Sequence, residues 1–150
     1  LLYAFFARNG TNTPSSANAV IGQVHFLSSP NAAPAGSIDE VEITIQHIQD
    51  APAGKHYYAW LQINSEGLAP IHWLLTTQNG SLSSSYTNPH LLTNRPYLLL
   101  ITAETADNGV ATFDPNARFY YASLPNIIRN PVTFDIRTCP QGSSNNICMS

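Results

Sequence analysis

Across residues 38–48 the chain alternates in side-chain character. Val41, Ile43 and Ile45 fall on one side, and Glu40, Glu42, Thr44 and Gln46 on the other. A period of two puts successive side chains on opposite faces of an extended backbone, whereas a helix repeats its apolar stripe every three or four residues. This stretch therefore specifies a half-buried strand. Shorter runs of the same kind recur at residues 20–27, 56–64, 70–78, 82–87, 96–105, 118–124 and 132–138, separated by Pro, Gly, Asn and Asp. One run differs: Tyr97-Leu98-Leu99-Leu100-Ile101 is apolar on both sides and needs cover on both faces. In residues 56–64, Tyr57, Ala59, Leu61 and Ile63 oppose Tyr58, Trp60 and Gln62. The expected core contains Val41, Ile43, Trp60, Leu99 and Ile101, with Trp60 beside Ile101 and beside Val41 or Ile43. About eight short strands without crossover helices argue for an all-β chain, an antiparallel immunoglobulin-like β-sandwich. A single helical turn is expected at residues 125–130.

At 150 residues the chain is the size of one domain. Its organisation reads as an apolar segment (1–8), a polar linker (9–19), the β-domain (20–138) and a Cys-closed tail (139–150). The cysteines, Cys139 and Cys148, sit close together, and a disulfide between them would close a loop of ten residues. In the chain-entropy account that stabilises the fold by roughly 2.5 to 3 kcal/mol. The pairing points to an oxidising, extracytoplasmic compartment, at the cell surface or secreted; the alternative is two free thiols in a reducing one. Zinc is disfavoured because the two thiols have no nearby His or second Cys pair. Asn9-Gly10-Thr11 and Asn79-Gly80-Ser81 match the N-glycosylation acceptor.

The chain begins at Leu1 without methionine, so a segment lost upstream is expected. Leu1, Leu2, Tyr3, Ala4, Phe5, Phe6 and Ala7 leave neither face of a strand polar. The segment is too short to cross a bilayer. It is either the exit of a membrane anchor upstream of residue 1, with Tyr3 and Arg8 at the interface, or a strand that a neighbouring molecule covers.

Charge narrows the partners. Only 10% of residues are charged, the net charge is −3, and Lys55 is the single lysine. No basic footprint for nucleic acid exists. Catalytic patterns are also missing. The cluster Ser81-Leu82-Ser83-Ser84-Ser85 has no nucleophile-elbow glycines around it. Five histidines, His25, His47, His56, His72 and His90, lie on separate segments, and His47 with His56 is the best residual metal pair. Asp39, Glu40 and Glu42 read as a solvated acidic face. Glu104, Asp107 and Asp114 surround the Asn108-Gly109 turn, where turn chemistry explains the acids better than calcium does. Tyr57, Tyr58, Trp60, Trp73, Tyr120 and Tyr121 could line a carbohydrate site, but core packing absorbs them. The expectation is a non-enzyme with no catalytic residue, metal or cofactor.

Four stretches carry a family resemblance: Gly54-Lys55-His56-Tyr57-Tyr58-Ala59-Trp60-Leu61, Asn88-Pro89-His90-Leu91-Leu92, Leu100-Ile101-Thr102-Ala103-Glu104 and Phe119-Tyr120-Tyr121-Ala122-Ser123-Leu124-Pro125. In this order they resemble the C-terminal extracytoplasmic domain of bacterial anti-sigma-K-type factors, over roughly residues 20–125. The resemblance implies an exported β-sandwich beside a membrane anchor and brings no catalytic residue. The pattern departs at both ends: residues 1–150 show no counterpart of the family's cytoplasmic sigma-binding part, and Val132 to Ser150 with its two cysteines reads as an addition, so the resemblance does not imply anti-sigma activity. Two functions follow. One is a filament subunit joined head-to-tail to other copies of itself by donation of its N-terminal strand. The other is a membrane-tethered sensory or regulatory domain.

Overall fold

The structure, a computed structural model, describes residues 18–140 and 147–149. The expectations placed on Leu1 to Ala7 and on Asn9 lie outside the described residues. The described chain is all-β, with nine strands: β1 (Val20–Leu27), β2 (Glu40–Ile45), β3 (His56–Gln62), β4 (Ile71–Leu75), β5 (Thr77–Gln78), β6 (Ser81–Thr87), β7 (Leu98–Glu104), β8 (Arg118–Ser123) and β9 (Val132–Thr138). They form one antiparallel sheet in the order β4-β3-β7-β8-β9-β1-β2-β6-β5.

That sheet is nearly closed. The expected strand at residues 70–78 is broken at Thr76, which divides it into β4, paired with β3, and β5, paired with β6. One short segment thus touches both ends of the strand order. Trp73 of β4 reinforces the closure: its ring stacks on Tyr86 of β6 at 4.5 Å, and its Nε1 donates to Ser84 Oγ at 3.1 Å. Elsewhere the sheet narrows to a seam, where β8 and β9 pair only through Tyr121 with Arg137 and Tyr120 with Thr138.

Local chemistry fixes these elements. Asn79 and Gly80, with φ of 54° and 77°, make the two-residue turn between β5 and β6. Asn-Gly tolerates this doubly left-handed backbone, whose twist suits a hairpin. Gly22 is required for a different reason. It lies opposite Ile45, and a Cβ there would run into the Thr44 carbonyl oxygen and the Ile45 side chain. The absence of a side chain lets β1 and β2 approach.

Val24, Phe26, Val41, Ile43, Leu99, Ile101 and Ile136 are fully buried inside the sheet, together with Tyr57, Ala59 and Leu61. Trp60 requires a correction. It is fully buried but on the opposite face of β3, in a second cluster with Leu98, Leu100, Ala111, Tyr121, Cys139 and Cys148. The alternation that sends Tyr57, Ala59 and Leu61 inward must send Trp60 outward. The expected helical turn at residues 125–130 is also absent; that segment is irregular, and short 3-10 turns occur at Pro115–Ala117 and Ile147–Met149 instead. Asp114 caps the first, its carboxylate accepting from the Asn116 amide at 2.9 Å. No helix among the described residues is long and apolar enough to cross a membrane.

The register defines two poles. Residues 18–19 enter where β9 ends, beside residues 46–55, 79–80 and 105–117; residues 28–39, 63–70, 88–97 and 124–131 link strands at the other pole.

Candidate functional site

The outer face of β3, β7 and β8 carries the densest polar chemistry of the described chain. Every residue of β7 is buried, although its outward positions run from Leu98 and Leu100 to Thr102 and Glu104. Burying those last two polar groups is tolerable only if they are hydrogen-bonded, and they are. Trp60 Nε1 donates to Thr102 Oγ1 at 2.9 Å, and that hydroxyl donates to Glu104 Oε2 at 2.5 Å. The Thr112 amide adds a third link to the same carboxylate oxygen at 3.3 Å.

Arg118 lies beneath the covering segments and is 2% exposed. Its Nε donates to the Thr112 carbonyl at 2.5 Å, and its Nη1 to the carbonyl of Cys148. Burial pulls its pKa down, while the nearby Glu104 carboxylate holds it up. One guanidinium thus ties residues 105–117 and the tail to the sheet. The Cys139–Cys148 disulfide, with Cα atoms 5.9 Å apart, completes the clasp, and the Cys139 amide donates to the Phe119 carbonyl at 2.8 Å.

His72 joins this layer from β4. Its ring stacks on Trp60 at 4.5 Å, and its Nε2 meets Asp107 Oδ2 at 2.7 Å. The Gly109 amide and then His72 hold the Asp107 carboxyl below its usual range. An Asp-His pair can orient a base for a nucleophile. Here Trp60 covers one face of the imidazole and Asp107 takes Nε2, an arrangement suited to packing the layer. A cavity of about 330 Å³ beside it is lined by Lys55, Glu104, Asn108, Thr112 and Asp114 among others.

A second concavity lies at the pole opposite the chain entry. It measures about 180 Å³ and is bounded by Leu92, Arg95, Pro96, Pro125, Asn126, Ile127, Ile128 and Arg129. Neither arginine takes part in the described ion pairs, which are His72 with Asp107 and Arg137 with Asp135.

The structure scatters the other sequence candidates. Among the described residues no three His, Cys, Asp or Glu side chains gather as a metal site. His25 bonds Thr133 across to β9 at 2.7 Å, while His72 is paired with Asp107. Glu40 accepts from Ser85 at 2.8 Å. Asp39 is instead buried, accepting from the Ser29 amide at 2.8 Å and hydroxyl at 2.7 Å, and these bonds lower its pKa. Asp107 accepts from the Gly109 amide at 2.9 Å, as turn chemistry requires. Asn79 is exposed at a hairpin tip. Tyr57, Trp60, Trp73 and Tyr121 are all buried. Burial and a neighbouring tyrosine raise the Tyr57 pKa, and its hydroxyl donates to the Gln49 carbonyl at 3.1 Å.

Sequence reasoning missed Arg118, the Thr102–Glu104 link and the arginine cleft. A signal for the first two existed: a strand apolar on both faces demands a cover, and residues 105–117 with the Cys tail were at hand to supply it. The cleft joins segments thirty residues apart and leaves no periodic trace. Comparison with protein-family models, characterised proteins and solved structures finds no match for this chain.

Proposed function

We propose that this chain is an exported, non-enzymatic module carried on its N-terminal arm, tethered at a membrane like the extracytoplasmic domain of an anti-sigma-K-type factor. In this reading its architecture is an immunoglobulin-like sandwich, with β4-β3-β7-β8 and β9-β1-β2-β6 as its two layers. The observation that carries the reading is the root of the arm. Asn18 and Ala19 are fastened to the last strand: the Asn18 amide donates to the Thr138 carbonyl at 2.9 Å, the Thr138 amide to the Ala19 carbonyl at 2.9 Å, and Arg137 Nη1 to the Asn18 carbonyl at 3.0 Å. Tyr121 adds a bond from its hydroxyl to Asn18 Oδ1. A module displayed on an arm needs its attachment point to be fixed and its opposite pole free, and this root is distributed over three segments. The disulfide beside it supports an oxidising location.

The second reading is a filament subunit whose apolar strand, Leu1 to Ala7, enters a neighbouring copy. Its support is that strand's composition, since an edge apolar on both faces is an aggregation hazard in water. A receiving groove is what it lacks support for. Among the described residues β4 and β6 approach each other through the Trp73–Tyr86 stack, and β5 is paired to β6 beside it.

One experiment separates the two. Full-length protein and a form lacking residues 1–8 are sized by sedimentation at high concentration and then mixed with phospholipid vesicles. The tether reading expects monomers of both, because its anchor lies upstream of residue 1, and flotation of the full chain alone would add that residues 1–8 reach the bilayer surface. Concentration-dependent multimers of the full chain that vanish on truncation would instead establish the filament. Multimers that persist unchanged in the truncated form would remove both readings.

A further inference from the structure

We propose that the cleft between residues 92–96 and 125–129 is a binding site for a small organic acid, a carboxylate on a compact apolar body. Its floor is firm, because Leu92 and Ile128 pack against the inner core. Its rim is partly apolar and open, with Ile127 52% exposed. Its charge is of one sign: Arg95 and Arg129 line it and no acidic residue does. In a chain of net charge −3 with six Lys and Arg in all, two cations outside the described ion pairs on one cleft are a concentrated feature.

The backbone supplies an independent sign. Arg95 adopts φ of 51°, within the left-handed region that Gly or Asn enters more cheaply. Strained backbone held in place by its surroundings is characteristic of ligand sites, and the inference runs from the outlier to the function. Here the strained residue is one of the two cations.

The chemistry selects the ligand. A guanidinium presents a planar fork that matches a carboxylate, and two forks above an apolar floor favour an acid with a hydrocarbon body over a bare anion. At roughly 30 Å³ per small group, the volume holds about six non-hydrogen atoms. Because the cleft lies at the pole away from the arm root, this site does not depend on what holds residues 1–17.

The test uses the full chain titrated with 2-methylpropanoate, 2-methylpropanamide and inorganic phosphate, followed by backbone amide NMR. The proposal expects saturable shifts confined to residues 92–96 and 125–129 with the acid. The amide should bind about ten-fold more weakly, the scale of a lost charge-assisted contact. Arg95→Gly and Arg129→Gln should each weaken the acid by a similar factor. Arg95→Gly also separates binding from folding, because glycine relieves the left-handed backbone, so thermal stability should not fall while binding does. Equal affinity for acid and amide, displacement by phosphate, shifts elsewhere, binding unchanged by both substitutions or no saturation at millimolar acid would each overturn the proposal.

Discussion

The two faces of β7 are buried by different means. Inward, Leu99, Ile101 and Ala103 meet other strands, and the cover is apolar surface supplied by the sheet itself. Outward, Leu98, Leu100, Thr102 and Glu104 lie under segments that are not strands, held by Arg118, the His72–Asp107 pair and a disulfide. The inner face needs only the right pattern, because hydrophobic burial is non-directional. The outer face needs particular partners, since each buried polar group there costs free energy if its partner is removed. Damage to the inner face should therefore scale with lost volume, and damage to the outer face with lost connections.

Trp60 gives the largest expected effect. It is fully buried, stacks on His72 and donates to Thr102. Trp60→Ala should cost about 3 to 5 kcal/mol, as truncation of a buried aromatic does. Urea unfolding measures it, and a loss below about 1 kcal/mol would show that the outer layer is decoration on a core that stands without it.

Removing the clasp comes next. Cys148→Ser should cost roughly 2.5 to 3 kcal/mol through the freed ten-residue loop, read as a lower denaturation midpoint in non-reducing buffer. Reductant should lower the midpoint of the native chain similarly and leave the variant's alone. A native chain indifferent to reductant would mean that Arg118 and its carbonyl bonds suffice.

The separation of the faces can be measured directly. Trp60→Phe combined with Cys148→Ser should be non-additive by about 0.5 kcal/mol or more, because both residues belong to one cluster. Ile43→Val combined with Cys148→Ser should add within about 0.5 kcal/mol, since Ile43 lies in the other cluster. Equal coupling in both pairs would dissolve the distinction between the faces.

The same contrast explains what could be read from the sequence. β1 and β9 appear at their expected bounds, and the inward set of β3 was visible as alternation, because period two is a local property of an extended chain. The double burial of Leu98 to Ile101 was legible for the same reason, though the identity of the cover was not. Trp60 reads as inner core from the sequence because size and aromaticity signal burial without signalling which face is buried. Closure of the sheet depends on a kink at Thr76 and a stack between Trp73 and Tyr86, and nothing periodic announces either. The arginine cleft is the extreme case, since Arg95 and Arg129 each look like solvated surface until the fold joins them.

The smallest expected effect concerns acid. The Asp107 carboxyl is held below the ordinary 3.8, first by the Gly109 amide and then by His72. A carboxyl whose folded pKa is depressed refuses a proton that the unfolded chain accepts. Its contribution to stability is present above the unfolded value and is lost as pH falls from 3.8 through the folded one. Asp107 secures the outer layer. Asp39, lowered by Ser29, secures the link between β1 and β2 on the inner core's side. Denaturation midpoints of the native chain at pH 5 and pH 3 should therefore differ more than those of Asp107→Asn or Asp39→Asn, each of which removes one titrating group. The discriminating readout is local. As pH falls below 3.8 through the folded pKa, the Trp60 fluorescence of the native chain should converge on that of Asp107→Asn, because protonation of the carboxyl neutralises the contact. At pH 5 only the variant should show Trp60 loosened from His72. A variant whose emission matches the native chain at both pH values would mean that the Asp107–His72 pair does not hold the outer layer, and that Arg118 and the disulfide hold it alone.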